Sequence, residues 1–300
     1  MSRDIWADWL GSGRHGDDAG FAIAMQPQLH AMRDIVLDGA NLREGMQLAD
    51  IGAGDGLIAF GAFARLFGSL HVTFVDVSAE LLRVCAAEAE RRGLSERCRF
   101  VEGRAESLST LADASFEVVT SRAVVAYVAD KTAAFREFYR VLRPGGRLSI
   151  GEPIFQDQAL ILAAIAKRVL AGDVGEHQRA LELMHRWRSR QLPDSLEEIA
   201  RNPLTNFTER DLLRFARQAG FDSISLRLHI DVVPALPLPW EAALRSAPLP
   251  GVPTLGELLE TEFSAAERGA FERQFRELFE TGGAVEQNAV AYLTANKPAA

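Results

Sequence analysis

Apolar positions along the chain fall into two rhythms. From residue 45 to 153, short apolar runs alternate with amphipathic stretches. "MQLADIG" reads as a strand, "DGLIAFGAFARLFG" as a helix, "HVTFVDVS" as a second strand and "SAELLRVCAAEAERRG" as a second helix. "RCRFVEG" and "FEVVTSRAV" follow as strands, then "KTAAFREFYRVL" as a helix stopped by Pro144-Gly145-Gly146, then "RLSIGEP" as a fifth strand. Ser78 reads as an N-cap, Glu80 lies in the first turn behind it, and Gly93 reads as the stop. Strands separated by helices at this spacing imply a parallel, doubly wound sheet with right-handed crossovers.

Outside that stretch the rhythm is helical. Residues 1–44 read as a helical lead-in or lid segment, and 154–206 as a helical insertion that includes "DQALILAAIAKRVLAG" and "HQRALELMHRWRSRQ". The alternation resumes over 207–233, where Thr208 and Asp211 open a helix as a capping box and "SISLRLHIDVV" follows as a strand. A second insertion, 234–284, starts rich in proline and ends in "SAAERGAFERQFRELF". Residues 285–300 close the chain with the strand "QNAVAYLTANK". The expected fold is a Rossmann-like α/β domain with helical cap insertions. The fifth and sixth strands both run toward the carboxyl face, so both insertions are expected to roof the ligand-binding end. Phe155, Trp187, Phe207 and Trp240 are expected in that cap, with Trp187 and Trp240 as walls of an acceptor pocket.

Composition narrows the partners. The 300 residues carry a net charge of −8, which argues against a nucleic-acid partner because phosphate binding needs a basic face. Two cysteines, Cys85 and Cys98, are too few for a disulfide framework and point to a reducing interior. No segment approaches the ~18 apolar residues of a membrane span, and the N-terminus has no apolar leader run. A cytoplasmic protein is expected, with a small-molecule substrate, no membrane partner, and at most a second copy of itself in a homodimer.

The chemistry starts at "ADIGAGDGLIAF", residues 49–60, where three glycines fall within five residues after a strand. A P-loop would end in Gly-Lys-Ser/Thr, which is missing here. A dinucleotide turn would place glycine at 57, which is Leu57, and Asp55 would face the pyrophosphate. An acidic turn repels phosphate and suits a cation, and Asp50 and Asp55 suit a ligand with a sulfonium and an ammonium. Asp76 ends the second strand, where a carboxylate can accept both ribose hydroxyls. Adenosine with a cationic tail and no phosphate is S-adenosylmethionine.

The segments "LADIGAGDG", "FVDVS", "VEGRAESL", "FEVVTSRAVVAYVAD" and "EFYRVLRPGGRLSIGEP" resemble, in order and spacing, the class I S-adenosylmethionine-dependent methyltransferases. The resemblance implies a seven-stranded sheet with an antiparallel last strand. It places Asp50, Gly52, Ala53 and Gly54 beside the methionine moiety, Asp76 on the ribose, Val77 against adenine and Ala105 at the adenine edge. The family often carries an acid after the glycine of "VEGRAES". Arg104 stands there instead, leaving that contact to Glu106 or to backbone.

Methyl transfer is a displacement at an already activated carbon, so positioning dominates and no catalytic signature is obligatory. Ser121, Arg122 and Tyr127 follow the fourth strand and are candidates to shape the cofactor and acceptor pockets. His177 and His185, eight residues apart, are candidate bases, and His15 a candidate lid residue. An Asn-Pro-Pro-aromatic element of the DNA amino-methyltransferases is missing at this place. No His/Asp/Glu grouping has metal-ligand spacing, so no metal is expected. Arsenite methyltransferases hold the metalloid with several cysteines, whereas Cys85 and Cys98 read as inert. The leading expectation is methyl transfer to a small organic acceptor, on oxygen before nitrogen or carbon. The alternatives are a catalytically idle S-adenosylmethionine-binding partner subunit and a nicotinamide-dependent oxidoreductase.

Overall fold

The apolar runs pair as strands of one sheet in the computed structural model, which describes residues 4–66, 70–172 and 178–299. The strands are β1 (Gln47–Ile51), β2 (His71–Asp76), β3 (Cys98–Glu102), β4 (Phe116–Arg122), β5 (Leu142–Pro153), β6 (Asp222–Pro234) and β7 (Val285–Asn296). Their order is β3-β2-β1-β4-β5-β7-β6. β1 to β5 pair in parallel, and β7 runs antiparallel to β5 with Ile150 opposite Leu293. Buried on both faces, the central strands need mostly apolar sequence, which "LADI" and "VTFV" supply apart from the buried Asp50 and Thr73.

The chain divides into two compact units. The first, α/β in character, comprises Gln28–Ile154, Phe207–His229 and Ala289–Ala300. Its helices are α3 (Leu57–Arg65), α4 (Ala79–Arg91), α5 (Lys131–Val141) and α9 (Glu209–Ala219), with the C-terminal part of α2 (Ala19–Ala40). Local chemistry sets their ends as expected. The Ser78 hydroxyl accepts the Leu81 amide at 3.0 Å, and Thr208 and Asp211 form the capping box. Leu37, Leu48, Phe63, Phe74 and Val118 are among the side chains of its core, packed between sheet and helices.

One boundary differs from expectation. β5 was expected to begin after the Pro144-Gly145-Gly146 turn, yet its pairing with β4 starts at Leu142, opposite Phe116, and resumes at Arg147, opposite Val118. The turn is a bulge inside the strand. Gly145 takes φ +74°, and the backbone around Lys297 braces the bulge by accepting the Gly145 amide at 3.0 Å and donating to Gly146 at 2.8 Å.

The second unit, Met1–Pro27, Phe155–Asn206 and Ile230–Asn288, is largely helical. It contains α1 (Ile5–Gly11), α6 (Gln156–Ala171), α7 (Gln178–Arg188), α8 (Leu196–Arg201), α10 (Trp240–Arg245), α11 (Leu255–Glu262) and α12 (Ala265–Thr281). Of the tryptophans expected as pocket walls, Trp240 is buried in its core and Trp187 is partly buried against that core. The rings of Trp187 and Trp240 lie 5.8 and 6.5 Å from Phe271 and pack on Phe279 as well. Phe207, also expected in the cap, is fully buried in the α/β unit. An aromatic at helical spacing serves a core or a pocket equally well, and here the neighbouring Phe residues of α12 complete a core. Trp240→Ala should therefore destabilise the protein by about 3–5 kcal/mol, read from the urea midpoint. An unchanged midpoint would place Trp240 outside the packing that holds this unit.

Candidate cofactor and methyl-transfer site

The site is built where β1 and β2 end. The β1 backbone leaves the sheet at Gly52 through a turn in which Gly52, Gly54 and Gly56 all take left-handed φ, at +69°, +55° and +82°. Only glycine adopts three such angles in five residues without strain. The Gly52 and Ala53 amides both donate to the Val75 carbonyl, at 2.7 and 3.0 Å, which ties the turn to β2. At Gly52 the demand is also steric, because a Cβ there would overlap Cγ2 of Val124. Gly52→Ala is expected to cost roughly 2–5 kcal/mol in denaturant unfolding, from backbone strain plus overpacking. A wild-type midpoint would show that the turn has room.

Asp76 organises the turn from the end of β2. Its carboxylate is 6% exposed, with Oδ2 accepting the Gly54 amide at 2.8 Å and Oδ1 the Ser78 amide at 2.9 Å. A carboxylate offers about four acceptor positions, so a diol can join these two amides. Val77, next along, exposes 41% of its surface, an apolar face uncovered beside the carboxylate. Ala105 is buried in the turn after β3, where the Gly103 amide donates to the Asp76 carbonyl at 2.9 Å. Arg104 is exposed and pairs with Glu106 at 2.7 Å, so the Glu106 carboxylate is engaged by its neighbour.

Asp50 lies at the end of β1, 1% exposed. Its Oδ1 accepts the Thr120 hydroxyl at 2.9 Å, while Oδ2 is buried and has no hydrogen-bond partner among the described residues. Burial pushes this carboxyl up to about 7 and nearby Asp76 adds to the push, while the Thr120 hydroxyl, the Ala59 backbone amide and Arg122 pull it back. The buried Ser121 hydroxyl at the end of β4 is likewise without a partner among the described residues. An under-satisfied buried carboxylate oxygen and an unpartnered hydroxyl at the carboxyl ends of adjacent strands fit a ligand that brings a cation and hydrogen-bond donors. That is the polarity of the methionine end of S-adenosylmethionine.

Tyr127 is in a short 3-10 turn, Val125–Tyr127, and burial pushes its phenol well above its usual value, with Glu152 adding to the effect. A phenol held that high does not act as a base at neutral pH. His185 lies on α7 in the helical unit, with Nε2 at 2.7 Å from Asp194. His177 lies outside the described residues. His15 closes a 3-10 turn in the helical unit, its Nδ1 buried without a partner among the described residues. Among the described residues no cluster of three metal-ligating side chains occurs. Both cysteines are free; burial pushes the Cys85 thiol up to about 12 and Cys98 up to about 11, so both stay protonated.

Two buried charges near the ends of β4 and β5 lay outside the sequence reading. Lys131, 4% exposed at the start of α5, donates to the Val128 carbonyl at 2.8 Å and lies 4.7 Å from the Phe207 ring centroid. Burial lowers its ammonium to about 8. Glu152, fully buried in β5, is pushed up to about 7 by the same cause. In sequence a lysine opening a helix and a glutamate near a strand end read as solvated. Residues distant in sequence bury them, Phe207 over Lys131 and the neighbouring strand and 124–126 loop around Glu152.

A mostly parallel sheet with an antiparallel seventh strand, a glycine turn after β1 and a carboxylate ending β2 has the architecture of the class I methyltransferase fold. Residues 49–150 match the family described as a methyltransferase domain. The ubiquinone/menaquinone biosynthesis C-methyltransferase UbiE of Rhizobium meliloti is 28% identical over 209 residues, covering 66% of this chain and 73% of that protein. An arsenite methyltransferase of Aquipseudomonas alcaligenes is 37% identical over 139 residues, covering 44% of this chain and 39% of that protein. Phosphoethanolamine N-methyltransferase 2 of Haemonchus contortus, solved with phosphomonomethylethanolamine and S-adenosylhomocysteine, shares the fold at TM-score 0.51 and 18% identity, covering 89% of this chain and 52% of that one. The matched residues 49–150 form a methyltransferase domain of the class I S-adenosylmethionine-dependent type, and S-adenosylmethionine is its cofactor. No described helix is long and apolar enough to cross a membrane.

Proposed function

We propose that the protein moves the methyl group of S-adenosylmethionine to a small organic acceptor whose nucleophilic atom is an enolic or phenolic oxygen or the carbon conjugated to it. The observation that carries the cofactor half is the pair of buried carboxylates, Asp50 and Asp76, on either side of the glycine turn. Asp76 takes the ribose hydroxyls, Asp50 and Ser121 take the methionine end, and Val77 with Ala105 takes the adenine. Arg104 and Glu106 engage each other, so backbone at Ala105 serves the adenine edge. When bound, the cofactor supplies an activated methyl on a sulfonium, and the protein's task is alignment and exclusion of water.

The acceptor half is supported by similarity to the UbiE proteins, named as C-methyltransferases, and by the thiols. Cys85 and Cys98 stay protonated and buried or half-buried, which disfavours the soft metalloid implied by the other relative's name. An enol or phenol presents both an oxygen and a carbon nucleophile, so one acceptor class covers both methylation outcomes. Incubation with S-adenosylmethionine and a panel of enols and phenols, with S-adenosylhomocysteine release as the readout, tests the proposal, and product NMR assigns the methylated atom. Cofactor binding without release across the panel would support the idle-subunit reading instead.

A further inference from the structure

Glu152 is a costly residue for its place. It sits fully buried in β5, opposite Ala291 of β7, where an apolar side chain would pack without desolvating a charge. Its carboxylate faces the loop that follows β4. Oε1 accepts the Val124 amide at 3.2 Å and Oε2 the Ala126 amide at 3.1 Å, and the intervening Val125 amide also favours its ionised form. Arg122 from β4, Tyr127 and Lys131 carry the other charged or titratable groups that sense it.

The loop it gathers is not relaxed. Ala123 takes φ +53°, a left-handed angle uncommon outside glycine and asparagine, and its amide donates to the Gly151 carbonyl at 2.8 Å. Val124 then lies directly against Gly52, filling the space a side chain would need there. Glutamate, loop and first turn glycine thus form a continuous chain of contacts within the α/β unit.

We propose that Glu152 is a positioning residue for the cofactor: its carboxylate collects the amides of residues 124–126, seats Val124 on Gly52, and so holds the glycine turn in its binding shape. The proposal rests on the placement of S-adenosylmethionine at that turn. Glutamine keeps the volume but offers one acceptor oxygen and an NH₂ that faces a backbone N–H. Glu152→Gln is expected to weaken S-adenosylhomocysteine binding at least tenfold in calorimetry. Hydrogen exchange at Val124 and Ala126 should accelerate at least tenfold, and the thermal midpoint at pH 8 should not fall. Val124→Ala keeps carboxylate and amides but removes the contact with Gly52, and should weaken binding at least threefold.

Unchanged affinity in Glu152→Gln overturns the proposal, as does an affinity loss with faster exchange spread across the sheet and a lowered midpoint, which is the signature of a merely structural role. Should Glu152→Gln fail to fold, Val124→Ala decides, and wild-type affinity there overturns the proposal. Loss of binding in Asp76→Ala beside normal binding in Glu152→Gln sinks this inference alone. Absence of binding by the wild-type protein would remove the cofactor placement and this inference with it.

Discussion

Asp76→Ala is expected to weaken S-adenosylhomocysteine binding by about 10²- to 10⁴-fold. Two charge-assisted hydrogen bonds to the ribose, at roughly 1.5–3 kcal/mol each, disappear, and each 1.4 kcal/mol is a factor of ten. The structure adds a second loss. The same carboxylate holds the Gly54 and Ser78 amides at 2.8 and 2.9 Å, so its removal loosens the turn and the start of α4 together. Stability should fall as well, because an amide left buried without a partner costs about 1–3 kcal/mol. Calorimetry against wild type reads the first effect and urea denaturation the second. A wild-type dissociation constant in the variant would refute the ribose assignment.

Asp50→Asn should do something less intuitive: stabilise the protein above neutral pH while impairing cofactor binding. Burial raises the Asp50 carboxyl from 3.8 to about 7 in the folded state. A carboxyl raised in this way contributes stability that is fully present below its unfolded value near 4 and is lost as pH rises through about 7. Asparagine does not titrate and loses nothing over that window. At pH 8 the variant should be the more stable by on the order of 2–4 kcal/mol, and at pH 4 the difference should vanish. Glu152, raised from 4.5 to about 7, adds a slope of the same sign in both proteins. Binding should move the other way, because the cation of the methionine end loses its buried counter-charge. Denaturant midpoints at both pH values, with calorimetry at pH 8, check the pair of effects. A variant less stable than wild type at pH 8 would show that Asp50 is a structural anion.

Local chemistry explains how much of this was legible in the sequence. The strand–helix alternation, the Ser78 cap, the Thr208–Asp211 capping box and the glycine spacing of the turn are all written in a few consecutive residues, and the structure has each of them. The antiparallel β7 was also expected, although through family resemblance. What escaped depends on residues distant in sequence. Glu152 is buried because β7 covers one side of β5 and the 124–126 loop folds over its carboxylate. Lys131 is buried under Phe207, more than seventy residues further on. Trp187 and Trp240 showed the right chemistry for a pocket wall, and their packing on Phe271 and Phe279, which buries Trp240 and half-buries Trp187, depends on residues distant in sequence. β5 reaches back to Leu142 because the residues after β7 brace its bulge, a contact that no local pattern encodes.

A crystal structure of the protein with S-adenosylhomocysteine tests the central claim most directly. The account predicts both ribose hydroxyls within hydrogen-bond distance of the Asp76 carboxylate, the methionine end over Gly52–Gly54 with its ammonium toward Asp50, and the adenine against Val77. A ligand bound elsewhere, or a ribose that leaves Asp76 untouched, would contradict it.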